Sequence, residues 1–565
     1  MIVDLITAAL VLLLFAFQPN RFRQIYGKAA SAFRKVARRP VTAVVCAAAL
    51  PLLIRLAMLP IFPVPLPRIH DEFSYLLAAD TFAHGRLTNP THPLWEFFET
   101  FHVLQRPSYM SKYPPAQGLL MAFGQALFGH PWWGVVIAMG FMCGAMCWML
   151  RAWLPPAWAL LGSLAVGLQF GVTHYWMNSY WGGTPAAIGG CLLLGSYGRL
   201  RRFRPFSSGA VLYGCLLAAG FAILLNSRPW EGMLIALPVV CGFGYWLLKD
   251  RRSVLAFRFA NVVLPCAAVL LAAAASMLYY CWRITGNPLE LPYTAVHKTY
   301  STVPLFLWQK STPPPQYHHA VMEKFYTQWE PHYQSVDQLK NWHGWLGVEK
   351  TRLRMAKNVL FGDFFLLLCC VALPFLWPKA GMRNLLWILA IFSVGLAVEG
   401  WCQIHYFGPV LGVAAALKME SLRRLSSWKI GGRRWGTALS AAVILCSAVS
   451  LILQIKPESV HGWSLQRAQI QKKLENEAGN QLVVVRYSDD HNPIQEWVYN
   501  KADIDGSKVV WAREMSPSQN QKLFQYFKGR HFWLLQPDVS AELQPLPEGG
   551  MTYNRVADSA QSTWQ

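Results

Sequence analysis

Arg68, Ile69, His70, Asp71, Glu72, Phe73, Ser74, Tyr75 open a polar stretch of the chain, and Ser111, Lys112, Tyr113, Pro114, Pro115 close it. The residues between are polar and aromatic, while the chain on either side runs in long apolar segments. Two adjacent carboxylates enter the stretch and a lysine held before a double proline leaves it. Whether this is a loop between membrane helices or part of a soluble domain decides the fold, and the flanks answer that.

The 565 residues are 54% hydrophobic and 14% charged, with 25 Trp and a mean hydropathy of +0.26. Soluble domains carry about 25% charged residues, so lipid is expected to solvate much of this surface. Apolar runs long enough to cross about 30 Å of hydrocarbon are expected at 41–62, 132–150, 155–172, 183–198, 209–226, 231–248, 257–281, 358–377, 384–399, 403–418 and 437–454. A twelfth falls at 4–18. The predicted fold class is mainly α, a polytopic bundle of about 11 to 12 transmembrane helices with a small C-terminal α/β soluble domain. Three parts are expected: residues 1–40, an anchor helix and basic linker; 41–455, the transmembrane domain with loops 63–131 and 282–357; and 456–565, the soluble domain.

A net charge of +22 would suggest nucleic acid in a soluble chain. Here its position argues for a bilayer, and no nucleic acid partner is expected. The connections at 19–40, 151, 199–204, 249–258, 379–383 and 418–434 carry 7, 1, 4, 4, 2 and 6 Lys or Arg. The alternate connections at 173–182, 227–230 and 399–402 hold one, Arg228. The positive-inside rule puts the first set in the cytoplasm and the long loops and C-terminal domain on the other side, on the extracytoplasmic face of what is expected to be a bacterial inner membrane. That parity requires residues 116–128 to lie along the membrane. The apolar run at 5–17 precedes a basic block, which reads as an anchor and not as a secretory signal. The twelve cysteines show neither Cys-x-x-Cys nor zinc spacing, so no metal cluster or disulfide framework is assigned.

Arg55 sits inside the first span, near its far end, where snorkelling to the interface is the plain reading. A helix is expected from Asp71 to His84, closed by Gly85. Asp71 and Glu72 then either cap its first turn or act chemically at the membrane exit. His70 precedes them. Lys112, beside Tyr113 and fixed by the prolines, is placed to meet a phosphate at headgroup depth, or else to snorkel. In the turn at 173–183, Asn178 and a Gly pair suggest close approach of a ligand. In the turn at 226–231, Arg228 either pairs with Glu231 or presents its planar fork to a phosphate. His405 and Tyr406 begin a further polar turn on the same face. The loop at 283–357, with Tyr293 and His297, has the look of a lid. After residue 455, strands are expected at 482–487, 508–513 and 531–535, with a helix at 516–528. Asp503 and Asp505 before Gly506 read as a turn.

All these polar groups fall on one predicted face. Together they suit transfer of a group from a lipid carrier to an acceptor, with a carboxylate as base and cations on the departing phosphate. The first loop with Asp71 and Glu72, the Lys112, Tyr113, Pro114, Pro115 entry to an interfacial helix and the bundle with its C-terminal domain resemble the GT-C glycosyltransferases, within them the branch holding protein O-mannosyltransferases and lipid A aminoarabinose transferases. The resemblance covers roughly residues 41–455 as architecture, and only the first-loop motifs are specific. It implies a polyprenyl-phosphate sugar donor, a first-loop acid as base (Asp71) and a lysine on the carrier phosphate (Lys112). Some members hold a divalent cation on the first-loop acids and others do not, so a cation at Asp71 and Glu72 is left open. The Trp-Trp-Asp motif of oligosaccharyltransferases is absent, which argues against N-linked transfer. The acceptor, whether protein, lipid or glycan, is not legible. The alternatives are a glycan polymerase or ligase using a diphosphate-linked donor, and a secondary transporter, which would show related halves and mid-bilayer charges.

Overall fold

The computed structural model describes residues 2–202, 209–248, 252–453 and 462–547. Parts of the basic connections at 199–204 and 249–258, and the start of the expected soluble domain at 456, lie outside them.

The chain is a multi-pass membrane protein. Among the described residues, five helices are long and apolar enough to cross a membrane: Pro40–Ala57, Trp132–Leu150, Pro229–Leu248, Arg252–Thr285 and Trp342–Leu376. Shorter apolar helices lie at Ile6–Phe17, Pro156–Gly171, Ala210–Leu225, Ala380–Leu396 and Trp435–Val449. Thr184–Leu200 and Leu411–Leu425 complete the bundle. The expected span at 403–418 is shifted, because residues Ile404–Val410 wind as a 3-10 segment before the helix starts at Leu411. That helix is buried on every side through most of its length, so its neighbours are other helices rather than lipid.

Close packing of helices in lipid depends on small residues. At Gly220 an added Cβ would come within 2.5 Å of the Leu193 backbone nitrogen, and at Gly190 within 2.2 Å of the Pro409 carbonyl oxygen. These contacts seat Thr184–Leu200 against Ala210–Leu225 on one side and the turn carrying His405 on the other.

Arg55 does not snorkel. It is fully buried, with Nε donating to Asn178 Oδ1 at 2.8 Å, Nη1 to the Phe62 carbonyl at 2.8 Å and Nη2 to the Pro63 carbonyl at 3.1 Å. Its guanidinium lies 4.9 Å from the Trp132 ring. The fork thus satisfies the carbonyls freed where the proline-rich segment ends the helix.

The first long loop folds. Helix His70–Ala83 packs on helix Pro115–Phe128, and between them β1 (Asn89–Pro90), β2 (Val103–Leu104) and β3 (Ser108–Ser111) form a small antiparallel sheet in the order β1-β3-β2. The C-terminal sheet has the order β5-β4-β6-β7, from β4 (Gln481–Val485), β5 (Val509–Arg513), β6 (His531–Gln536) and β7 (Ser540–Pro545). The β4 pairings are parallel and β6/β7 is antiparallel. Helix Pro517–Tyr526 falls where expected, whereas helix Trp463–Asn476 and β7 were not foreseen. The Asp503 carboxylate accepts from the Gly506 N–H at 2.9 Å, a turn as read from sequence.

The C-terminal sheet is not a free-standing unit. Leu482, Val484, Val510 and Ala512 share one apolar core with Phe97, Phe98, Val103 and Tyr109 of the first loop. The Ala502 N–H donates to Asp80 at 2.8 Å, and Arg513 Nε to the Glu99 carbonyl at 2.7 Å.

Candidate active site

A cavity of about 360 Å³ lies where the first loop, the turns at 227–230 and 401–406 and the second long loop meet. Of the residues expected at a site, His70, Asp71, Lys112, Tyr113, Arg228, His405 and Tyr406 line it.

Local structure explains the convergence. Asp71 is in the first turn of helix His70–Ala83, with its carboxylate partly open to the cavity. Tyr113 donates its hydroxyl to Asp71 Oδ1, and its ring stacks on Tyr75 with centroids 4.4 Å apart. Asp71 Oδ2 stands 3.8 Å from His102 Nε2. The Ala116 N–H donates to the Asn226 carbonyl at 3.0 Å, which ties the head of the proline-started helix to the turn bearing Arg228. That one bond draws two cations from distant parts of the sequence to the same wall.

Lys112 Nζ lies 4.9 Å from the Tyr293 ring and 5.3 Å from the Tyr113 ring. It makes no hydrogen bond or ion pair among the described residues. Burial pushes its ammonium down to about 8 from the ordinary 10.5, opposed by Asp71 and Glu330. Arg228 lies over the Tyr406 ring at 4.3 Å and only loosely approaches Glu231, at 3.8 Å. Two cations held mainly by aromatic faces leave their strongest hydrogen-bonding capacity unused.

His70 is neutral: burial lowers its imidazole to about 3, Nε2 donates to the Pro493 carbonyl at 2.8 Å, and the ring stacks on Phe101 at 4.3 Å. His405 Nδ1 is 3.0 Å from the Tyr175 hydroxyl, and its ring meets Trp181 edge-on at 4.6 Å.

Three expected site residues stand elsewhere. Glu72 is fully engaged by backbone: Oε2 accepts from the Arg68 and Ile69 N–H groups at 2.7 and 3.2 Å, and Oε1 from the Tyr180 N–H at 3.0 Å. It closes the helix N-terminus and pins the 173–183 turn, so of the two roles expected from sequence, cap or catalyst, these bonds are those of the cap. Asn178 is a structural partner of Arg55, its amide nitrogen donating to the Val172 and His174 carbonyls at 2.9 and 3.0 Å, so both of its N–H donors are spent within the protein. Glu231 is buried behind Arg228 and lines a neighbouring cavity of about 200 Å³ instead.

The structure adds His102, Glu330 and Tyr293 to the lining. His102 reaches Asp71 because its backbone is left-handed, φ 62°, a conformation that the sequence does not announce for histidine. Glu330 comes from the second long loop, where burial raises its carboxyl to about 7 against the pull of Ser301 and Lys112.

The donors for a divalent cation do not assemble at Asp71 and Glu72. Glu72 points away to its three N–H partners, and among the described residues no three His, Cys, Asp or Glu side chains come together at metal-binding range.

No protein-family model matches the chain. No curated protein sequence matches it. Among solved structures, ArnT from Cupriavidus metallidurans bound to undecaprenyl phosphate is similar at 13% identity, over 88% of this chain and 93% of that one, with a TM-score of 0.50. The oligosaccharyltransferase of Archaeoglobus fulgidus in its apo form is similar at 13% identity over 80% of this chain, with a TM-score of 0.47. This chain spans 62% of that enzyme's length. With its helical bundle and its C-terminal mixed sheet, the chain resembles ArnT in fold, the fold of GT-C membrane glycosyltransferases.

Proposed function

We propose that the chain moves a sugar from a polyprenyl-phosphate donor to an acceptor hydroxyl on the extracytoplasmic face of the membrane. The observation that carries this reading is one cavity lined by Asp71 and by two cations held mainly against aromatic rings, Lys112 and Arg228. The GT-C fold supports it, as does the undecaprenyl phosphate bound by ArnT.

Asp71 takes the proton from the acceptor hydroxyl as its oxygen bonds to the anomeric carbon. The bond from that carbon to the phosphate oxygen breaks on the opposite side, which inverts the centre. The polyprenyl phosphate leaves with the bonding electrons, and Lys112 and Arg228 stabilise the charge that grows on it. Tyr113 holds Asp71 Oδ1, so Oδ2 faces the acceptor. The prenyl chain lies in an apolar groove of about 910 Å³, lined by Val44, Leu52, Leu119, Ile188 and Ile223. Its lining includes Pro115, Ala116 and Asn226, close along the chain to Lys112 and Arg228.

Native mass spectrometry of the purified protein with undecaprenyl phosphate and, separately, undecaprenyl diphosphate tests the donor class. Selective retention of the monophosphate is expected. Preferential retention of the diphosphate would replace this reading with a polymerase or ligase.

A further inference from the structure

Helix Pro19–Arg38 joins the apolar helix Ile2–Phe17 to the span Pro40–Ala57, with a single residue, Gln18 or Arg39, at each junction. At 1.5 Å per residue it reaches about 30 Å. It runs across the ends of other apolar helices. Near its start Phe22 meets Phe15 edge-on at 5.2 Å, and Phe15 meets Trp435, the first residue of a further apolar helix, at 5.0 Å. Near its end the Ala37 carbonyl accepts from Arg151 at 2.6 Å, just past the span Trp132–Leu150, and Phe33 and Ala37 pack with Ala157 and Leu160. These helix ends border the connections at 151 and 418–434, on the face that the positive-inside rule assigns to the cytoplasm.

Residues four and seven apart share a face of a helix, and here they divide the surface into three stripes. Phe22, Tyr26, Phe33 and Ala37 are turned to the bundle. Beside them Ile25, Ala29, Ala32 and Val36 form a second apolar stripe, and all four are exposed, Ile25 by 63%. Beyond that stripe Arg21, Lys28 and Lys35 form a basic one, also exposed, with successive charges about 10 Å apart along the axis. These three side chains make no hydrogen bond or ion pair among the described residues, and residues 18–40 contain no acid. Glu420, the one carboxylate of the 418–434 connection, is already held by Lys379, Arg423 and Arg424 at 2.7, 2.6 and 3.1 Å.

An exposed apolar stripe is satisfied by hydrocarbon and a basic stripe by anions. A nucleic acid answers only the second. The surface of an anionic bilayer answers both, because phosphate headgroups and the acyl boundary lie side by side there. The junctions fix the depth: with both ends tied to apolar helices, the helix stays at the level where those helices end.

We propose that helix Pro19–Arg38 is a docking surface for anionic phospholipid, its outer apolar stripe entering the acyl boundary and Arg21, Lys28 and Lys35 each meeting a phosphate headgroup. The inference does not rest on the transferase reading above.

The test is hydrogen exchange, read by mass spectrometry, on the full chain in nanodiscs of phosphatidylcholine alone and of phosphatidylcholine with about one third phosphatidylglycerol. Amides of residues 19–38 are expected to exchange about tenfold more slowly in the anionic discs, with the C-terminal sheet unchanged. Salt at about 1 M is expected to abolish the difference. So is Arg21→Gln/Lys28→Gln/Lys35→Gln, which removes three exposed charges and keeps helix propensity, whereas Arg21→Lys/Lys28→Arg/Lys35→Arg is expected to retain it. The proposal is overturned by equal exchange in the two discs, by a difference that survives the salt or the Gln variant or is lost in the charge-conserving one, or by protection that double-stranded DNA or polyglutamate gives in neutral discs and phosphatidylglycerol does not.

Discussion

Replacing Lys112 with Met separates binding from folding in opposite directions. The ammonium costs the folded protein free energy, because burial lowers it from 10.5 to about 8. At about 1.36 kcal/mol per pH unit that fall corresponds to at most about 3 kcal/mol. The sign follows from linkage: below pH 8 the lysine is charged in both states and the full cost applies, and it fades as pH rises from 8 toward 10.5. Lys112→Met removes the cost at pH 7, so melting temperature is expected to hold or rise. The same change deletes a charge-assisted hydrogen bond to the carrier phosphate, worth about 1.5 to 3 kcal/mol, which weakens undecaprenyl-phosphate binding about 10- to 150-fold. Wild-type binding should fall as pH rises through about 8 in the free protein, since only the protonated lysine attracts the phosphate; the Met variant should lose that dependence. The assays are thermal unfolding in detergent and titration with undecaprenyl phosphate from pH 7 to 9. A variant that melts lower and binds the lipid like wild type would show that Lys112 is a structural residue and refute the reasoning.

Asp71→Asn keeps the size and the Tyr113 partner but cannot take a proton, so sugar transfer is expected to fall about 10²- to 10⁴-fold with donor retention unchanged; turnover near wild type would exclude Asp71 as base. Glu72→Ala orphans three N–H groups, and a lower melting temperature is expected with transfer per folded molecule preserved, as read by activity normalised to monodisperse protein. Arg55→Ala leaves two carbonyls and the Asn178 oxygen without donors, each worth about 1 to 3 kcal/mol, and should appear as loss of monodisperse protein before any kinetic effect.

What the sequence disclosed and what it hid divide along physical lines. Span composition, the Pro114 and Pro115 entry and the strand runs after residue 480 are local signals, and the helices and strands follow them. Lys112, Arg228 and His405 stood out because cations and histidine at the ends of apolar runs are conspicuous, and all three line the cavity of Asp71. Glu72 and Asn178 are polar residues at the same address, yet they do not line that cavity. The difference lies in which groups need a partner: the backbone N–H groups of Arg68, Ile69 and Tyr180 claim Glu72, and the Arg55 guanidinium claims Asn178, and those partners are up to 123 residues away. His102 was hidden by its left-handed backbone, and Glu330 by its place in a loop whose pattern shows only general polarity. Arg55 carries the consequence furthest. A charge in a span looks either functional or snorkelled, yet this one closes a proline-broken helix end and, through Asn178, fixes the turn whose Tyr180 N–H holds Glu72. Glu72 in turn sets the first turn of the helix on which Asp71 stands, so the position of the proposed base depends on a chain of hydrogen bonds that begins at a buried arginine.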